Sequence, residues 1–188
     1  CLADTVAGMG PSLEANLRRR EGRELALRVS ASLLDAGEPG PAAAVASTAE
    51  SLSDSREERA EALTHEGLCL LAGARLPEAD RAFVDARAAG AEAGLTDYHR
   101  ARVQVAWRDD IEALERYAEA LDAGVEGVST EDLHFEMAMS HIRIEEWSDA
   151  RAHLERAGAL PLRDYVPALP GTLVEKLAQP CCAGHITR

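Results

Sequence analysis

The sequence predicts an all-α fold made of four helical hairpins, and three observations predict it. Few stretches alternate apolar and polar residues with the period of two that strands need. A triplet spaced i, i+4, i+7 comes back four times: Ala42/Ala46/Ala49, Ala79/Phe83/Ala86, Ala113/Tyr117/Ala120 and Ala150/Leu154/Ala157. Its leading alanines are separated by 37, 34 and 37 residues, about the length of one hairpin with its linker. Finally, turn-forming and helix-capping residues fall where the corners of such hairpins belong.

Taken in order, "PSLEANLRRREG" predicts a helix that precedes or merges with the first hairpin. "DAGEPGP" (Asp35 to Pro41) ends that helix, and Pro41 suits the first turn of the next one. Gly67 and Leu70 then lie on one helix, "GARLP" makes the corner, and Pro77 opens the helix carrying Ala79, Phe83 and Ala86. That spacing puts the three on one face, with alanines at the tight crossing and the aromatic ring filling the space beside them. "RDD" breaks the third hairpin, with Asp110 expected as N-cap of a helix from Ile111. "EEWSD" breaks the fourth, with Ser148 as the expected cap, and Ser129 followed by Asp132 reads as a capping box. "LSDSREE", "AGLTD" and "GVEGVSTED" separate the hairpins. "PLRDYVPALPGTLVEKLAQ" predicts a loop and a short helix near Thr172 to Ala178.

This pattern resembles the tetratricopeptide repeat (TPR), a 34-residue helix-turn-helix unit. The resemblance covers Arg23 to Leu160 and is fullest in the second unit, with Gly67, Leu70, Leu76, Ala79, Phe83 and Ala86. The fourth carries Ala138, Trp147, Ala150, Leu154 and Ala157. The third keeps Ala101, Ala113, Tyr117 and Ala120 but has Gln104 where a large residue is usual. The first has Ser30, Leu33 and Ala42, with Ala46 at the aromatic position. No unit has proline at the last consensus position; Pro161 falls one place early. The implied organisation is a capping segment over 1–22, a repeat array over 23–160 (units of about 23–56, 60–93, 94–127 and 131–160), and a proline-containing cap and tail over 161–188. The implied fold is a right-handed α-solenoid whose concave face is lined by the first helix of every hairpin.

Transferring the family's groove positions places Leu27, Arg28, Ala31 and Leu34 on that face from the first unit, and Thr64, His65, Leu68 and Leu71 from the second. The third offers Tyr98, His99, Arg102 and Val105; the fourth offers Phe135, Glu136, Met139, Ile142 and Arg143. The resemblance thus implies a non-catalytic scaffold or adaptor that binds a protein or peptide segment. Tyr98, Arg102 and Phe135 are residue types that dominate binding energy. The lysine and asparagine clamp by which some members hold a C-terminal carboxylate is not expected, because Leu27 and Ala31 stand there and the repeats hold no lysine.

Composition narrows the classes further. A formal charge of −13 argues against a phosphate-binding surface, so no nucleic-acid partner is expected despite Arg18–Arg19–Arg20. No run of 18 apolar residues exists, so no membrane span is expected. Lys176 is the only lysine, which reads as the bias of a GC-rich bacterial genome. A chain starting at Cys1 is expected to be a fragment or a processed form. Two alternatives follow: a regulatory arm of a larger bacterial kinase, transcription regulator or protease, and a periplasmic assembly factor lipid-anchored at Cys1, against a default cytoplasmic location.

No enzyme, cofactor or metal is expected. His65 and Cys69 stand at i and i+4, and His134 and His141 lie seven apart on one helical face, but neither pair has a third ligand at helical spacing. Cys181, Cys182 and His185 lack a CxxC partner, and no GxSxG, HExxH, GxGxxG or phosphate-loop pattern occurs.

Overall fold

The computed structural model describes residues 11–158. The lipid-anchor expectation at Cys1, the C-terminal cap over 161–188, and Cys181, Cys182 and His185 lie outside them. The described residues form eight α-helices and no strand: α1 Pro11–Asp35, α2 Pro39–Ser51, α3 Arg56–Ala72, α4 Leu76–Ala89, α5 Ala93–Trp107, α6 Asp110–Ala123, α7 Thr130–Arg143 and α8 Trp147–Arg156. The "PSLEANLRRREG" segment merges with the helix after it into the single 25-residue α1.

The helices pair in chain order, each pair joined by two or three residues. Contacts between their far ends show that partners run antiparallel. Arg19 donates to the Ser51 carbonyl (3.5 Å), and Arg56 to the Ala88 carbonyl (2.7 Å). His134 near the start of α7 meets His153 near the end of α8. At the start of α5 a Cβ on Gly94 would lie 1.8 Å from the Gly124 carbonyl oxygen, just past the end of α6. Only a glycine permits that approach.

The four corners share one backbone motif. Gly37, Ala74, Arg108 and Glu145 all have positive φ, at 79°, 55°, 67° and 64°, and lie 37, 34 and 37 residues apart. These are the intervals of the leading alanines. At each corner the amide after the left-handed residue donates back five positions: Glu38 to Leu33, Arg75 to Leu70, Asp109 to Gln104 and Glu146 to His141, at 2.9–3.0 Å. The left-handed residue itself donates three back, to Leu34, Leu71, Val105 and Ile142. Each corner is therefore a Schellman turn, which satisfies carbonyls that a helix end leaves open. Three of the four hold a side-chain-bearing residue in the region glycine favours.

This turn also moves two caps from their expected places. Asp109, not Asp110, is the N-cap of α6, its carboxylate accepting from the Glu112 amide at 3.2 Å. α8 starts at Trp147 with Glu146 at the N-cap position, not Ser148. In both cases the left-handed residue reverses the chain early, so the next helix starts two residues after it, with the residue between as its N-cap. Ser129 caps α7 as expected, accepting from the Asp132 amide (3.0 Å), while its hydroxyl donates to the Asp132 carboxylate (2.7 Å).

The repeat positions form the interior. Ala42, Ala79, Phe83, Ala113, Tyr117 and Ala150 are wholly buried, and Leu154 nearly so. Gly67 lies where a Cβ would come 2.6 Å from the Phe83 ring. The buried apolar residues fall into four clusters that follow the chain: Ala26, Ala49 and Ala62; then the group around Leu70 and Phe83; then the group around Tyr117 and Leu133; and last Ala138, Ile142, Ala150 and Leu154. Ion pairs tie each helix pair to the next. Arg23 meets Glu61 at 2.7 Å, Arg87 meets Asp97 at 2.6 Å, Arg100 meets Asp80 at 2.8 Å, and Arg143 meets Asp110 at 2.7 Å.

Candidate functional site: clefts along the first helices

A cleft of about 440 Å³ lies between α3 and α5, the first helices of the second and third pairs. Ala60, Leu68 and Leu95 give it apolar lining, and Thr64 and His65 add polar groups. Four carboxylates, Glu57, Glu61, Glu92 and Glu126, also line it. The linkers deliver two of them. Glu92 precedes α5 and accepts from the Glu126 amide at 3.3 Å, so the segments after α4 and after α6 meet at one end of the cleft. Glu61 is paired with Arg23 at 2.7 Å, and the other three carboxylates beside an apolar lining suit a cationic, partly apolar ligand.

A second cleft of about 430 Å³ is lined by Glu21, Arg23, Glu24, Leu27, Arg28 and Glu61. Glu61 belongs to both, so the two clefts adjoin across α1, α3 and α5.

His65 is fixed from behind. Ser30 donates its hydroxyl to the Ala42 carbonyl at 2.8 Å, so it accepts from Nε2 of His65 at 3.0 Å. That assigns the proton to Nε2 and leaves Nδ1 an acceptor. Burial holds the pKa of this imidazole below its usual value, opposed by the charge of Glu61. Ser30 and Cys69 complete the contact at 3.5 Å, and burial raises the Cys69 thiol. His65 and Cys69 are thus linked through Ser30.

The remaining groove positions divide by exposure. Arg28 and Arg102 are exposed, while Leu68, Tyr98, Phe135, Glu136, Met139 and Arg143 are half-buried. The Arg102 guanidinium lies 5.8 Å from the centre of the Tyr98 ring, an attractive cation–π arrangement. Tyr98 in turn meets Tyr117, with ring centres 6.1 Å apart. The Tyr117 hydroxyl is buried without a hydrogen-bond partner among the described residues, and burial raises its pKa. Phe135 and Met139 pack on the last apolar cluster. Several expected groove positions serve the interior, Ile142 in the last apolar cluster among them. His99 is 8% exposed and stacks on Phe83 at 5.1 Å, and Arg143 is spent on Asp110 and Ser140.

A second concentration of polar chemistry lies on the last pair. His134 and His141 share a face of α7, as the spacing implies, and α8 adds a third imidazole, His153. The Nδ1 atoms of His134 and His153 are 3.0 Å apart, and His141 stacks on His153 with ring centres 5.2 Å apart. His141 Nδ1 lies 2.8 Å from a Glu146 carboxylate oxygen. Burial, then the neighbouring His141 and His134, pushes the His153 pKa down to about 4. Sequence spacing within α7 missed His153 because it arrives from a different helix.

No family model matches the chain, and no curated protein matches it.

Proposed function

We propose that the protein is a non-catalytic adaptor of TPR type. Its helix pairs stack into a right-handed superhelix, and the first helices bind an extended peptide segment carrying basic side chains. Three features support the array: the corner motif repeated at 37, 34 and 37 residues, the burial of the equivalent alanines, and an interior divided into successive clusters. One observation carries the ligand reading. The cleft between α3 and α5 is lined by Thr64, His65 and Leu68, positions the repeat register assigns to a groove, and by four glutamates, while the adjoining cleft on α1 adds Leu27 and a mixed lining of Glu21, Glu24, Arg23 and Arg28. A net charge of −13 favours the same sign of partner. Tyr98 with Arg102 supplies a platform for an apolar or aromatic ligand side chain beyond the acidic stretch.

Fluorescence polarisation with a labelled nonapeptide alternating leucine and arginine tests this, with a leucine–glutamate peptide as comparison. The arginine peptide is expected to bind and to weaken as salt rises. Glu61→Gln with Glu92→Gln is expected to cut its affinity about tenfold at low salt, and Tyr98→Ala to lower it without changing the circular dichroism. Equal binding of the two peptides, or no response to the glutamine variants, would refute the assignment of the acidic clefts.

A further inference from the structure

The corner motif fixes which positions of the four helix pairs correspond, and that register isolates one anomaly. His134 corresponds to Ala26, Leu63 and Asp97; His141 to Leu33, Leu70 and Gln104; His153 to Val45, Ala82 and Arg116. In the first two pairs all three positions are apolar, and Ala26, Leu63, Leu70 and Ala82 are buried. In the last pair all three are histidine. Packing between the two helices does not call for imidazoles, since alanine, valine and leucine fill the same places earlier in the chain.

The geometry around the last corner supplies a use for them. His141, Glu146 and Asp149 each bring one ligand atom to a group in which all lie within 4.8 Å of one another. His141 comes from α7, Glu146 is the N-cap of α8, and Asp149 stands in its first turn. The left-handed conformation of Glu145 makes the corner tight enough to set Glu146 against His141. Among the described residues neither carboxylate is paired with an arginine: Glu146 meets His141, and the charge of Asp149 acts on His153. His153 stacks on the ligand imidazole and is itself held by His134, which fixes the His141 ring from its other side.

We propose that His141, Glu146 and Asp149 bind one divalent late transition-metal ion, of the class of Zn²⁺, at the corner joining α7 and α8. An imidazole with two carboxylates suits Zn²⁺, Co²⁺ or Ni²⁺, whereas Mg²⁺ and Ca²⁺ prefer sites built of oxygen alone. Two carboxylates balance the charge of the ion, and three protein ligands leave coordination positions for water or a partner's side chain. The ion would clamp the last helix pair at its corner. This site is independent of the peptide-binding reading.

The test is isothermal titration of chelator-stripped full-length protein with zinc chloride, and with cobalt chloride followed by visible absorption. About one equivalent of Zn²⁺ is expected to bind in the micromolar range, with a cobalt d–d band and a rise in the melting temperature. His141→Ala, and Glu146→Gln with Asp149→Asn, are each expected to weaken binding by more than about tenfold. His134→Ala is expected to weaken it less than either triad variant does, since its nitrogen faces His153 and not the triad. The carboxylate variants alter exposed groups, so helicity by circular dichroism is expected to stay unchanged and the result stays readable even if His141→Ala fails to fold. No saturable uptake up to about 1 mM metal, or uptake indifferent to the carboxylate variants, would overturn the site. Loss of uptake on His134→Ala with the triad variants unaffected would place the ion on the His134–His153 pair and equally overturn this ligand set.

Discussion

At the scale of single residues, His99 is a buried titratable ring whose cost depends on pH. His99 stacks on Phe83, its Nδ1 has no partner among the described residues, and burial, then the charge of Arg102, pushes its pKa from 6.5 down to about 4. The folded state therefore holds this ring neutral while the unfolded chain protonates it below pH 6.5. Its contribution is complete above pH 6.5, shrinks as pH falls, and is gone below about pH 4. The size of the shift corresponds to about 3 kcal/mol. Urea denaturation between pH 7 and pH 4 is expected to show that loss, and His99→Leu to remove this part of the slope. An unchanged slope in the variant would contradict the burial of a neutral imidazole. The sequence placed His99 in the groove because the register brings it to a first-helix position. That register cannot tell which of two adjacent positions, Tyr98 or His99, turns inward.

At the scale of elements, the corners carry the repeat more strictly than the helices do. Three corners place a side chain at positive φ, Ala74, Arg108 and Glu145, where only Gly37 meets the preference of the turn. A left-handed conformation costs a non-glycine residue about 1–2 kcal/mol, and glycine gives part of that back as unfolded-state entropy. Ala74→Gly is therefore expected to raise stability by about 0.5–1 kcal/mol, and Gly37→Ala to lower it by about 1 kcal/mol. Chemical denaturation of the two variants checks both signs; a destabilised Ala74→Gly would mean that the Schellman geometry is wrong. The alanine triplets and proline starts were legible in the sequence. The corners were placed as well, but not the left-handed conformation at them, because alanine, arginine and glutamate carry no signal for a left-handed turn.

At the scale of the whole molecule, the interior is a succession of clusters, each drawn from neighbouring helices, with ion pairs such as Arg87–Asp97 and Arg143–Asp110 between pairs. A protein stabilised by neighbours in this way tolerates loss of an end better than damage in the middle. Ending the chain after Gly127 removes the fourth pair. The remaining helices are expected to stay folded, with a urea m-value reduced roughly in proportion to the surface lost. Ala79→Arg, which forces a long charged side chain into a wholly buried crossing, is expected to disrupt the second pair and its neighbours. Both are read by circular dichroism during denaturation. Complete unfolding of the shortened chain would instead indicate a single indivisible core.

The sequence by itself determined the helical class, the spacing of the pairs, the buried alanines and aromatics, and the acidic charge. These follow from local periodicity and from side-chain size, which a linear string records directly. The merger of the first segment into α1, the left-handed corners, the meeting of Glu61 and Glu92 around one cleft and the gathering of His153 with His134 and His141 were decided by tertiary structure. Each of those depends on residues far apart in the chain or on backbone conformation at a corner. Spacing within one helix does not encode the distance to the next.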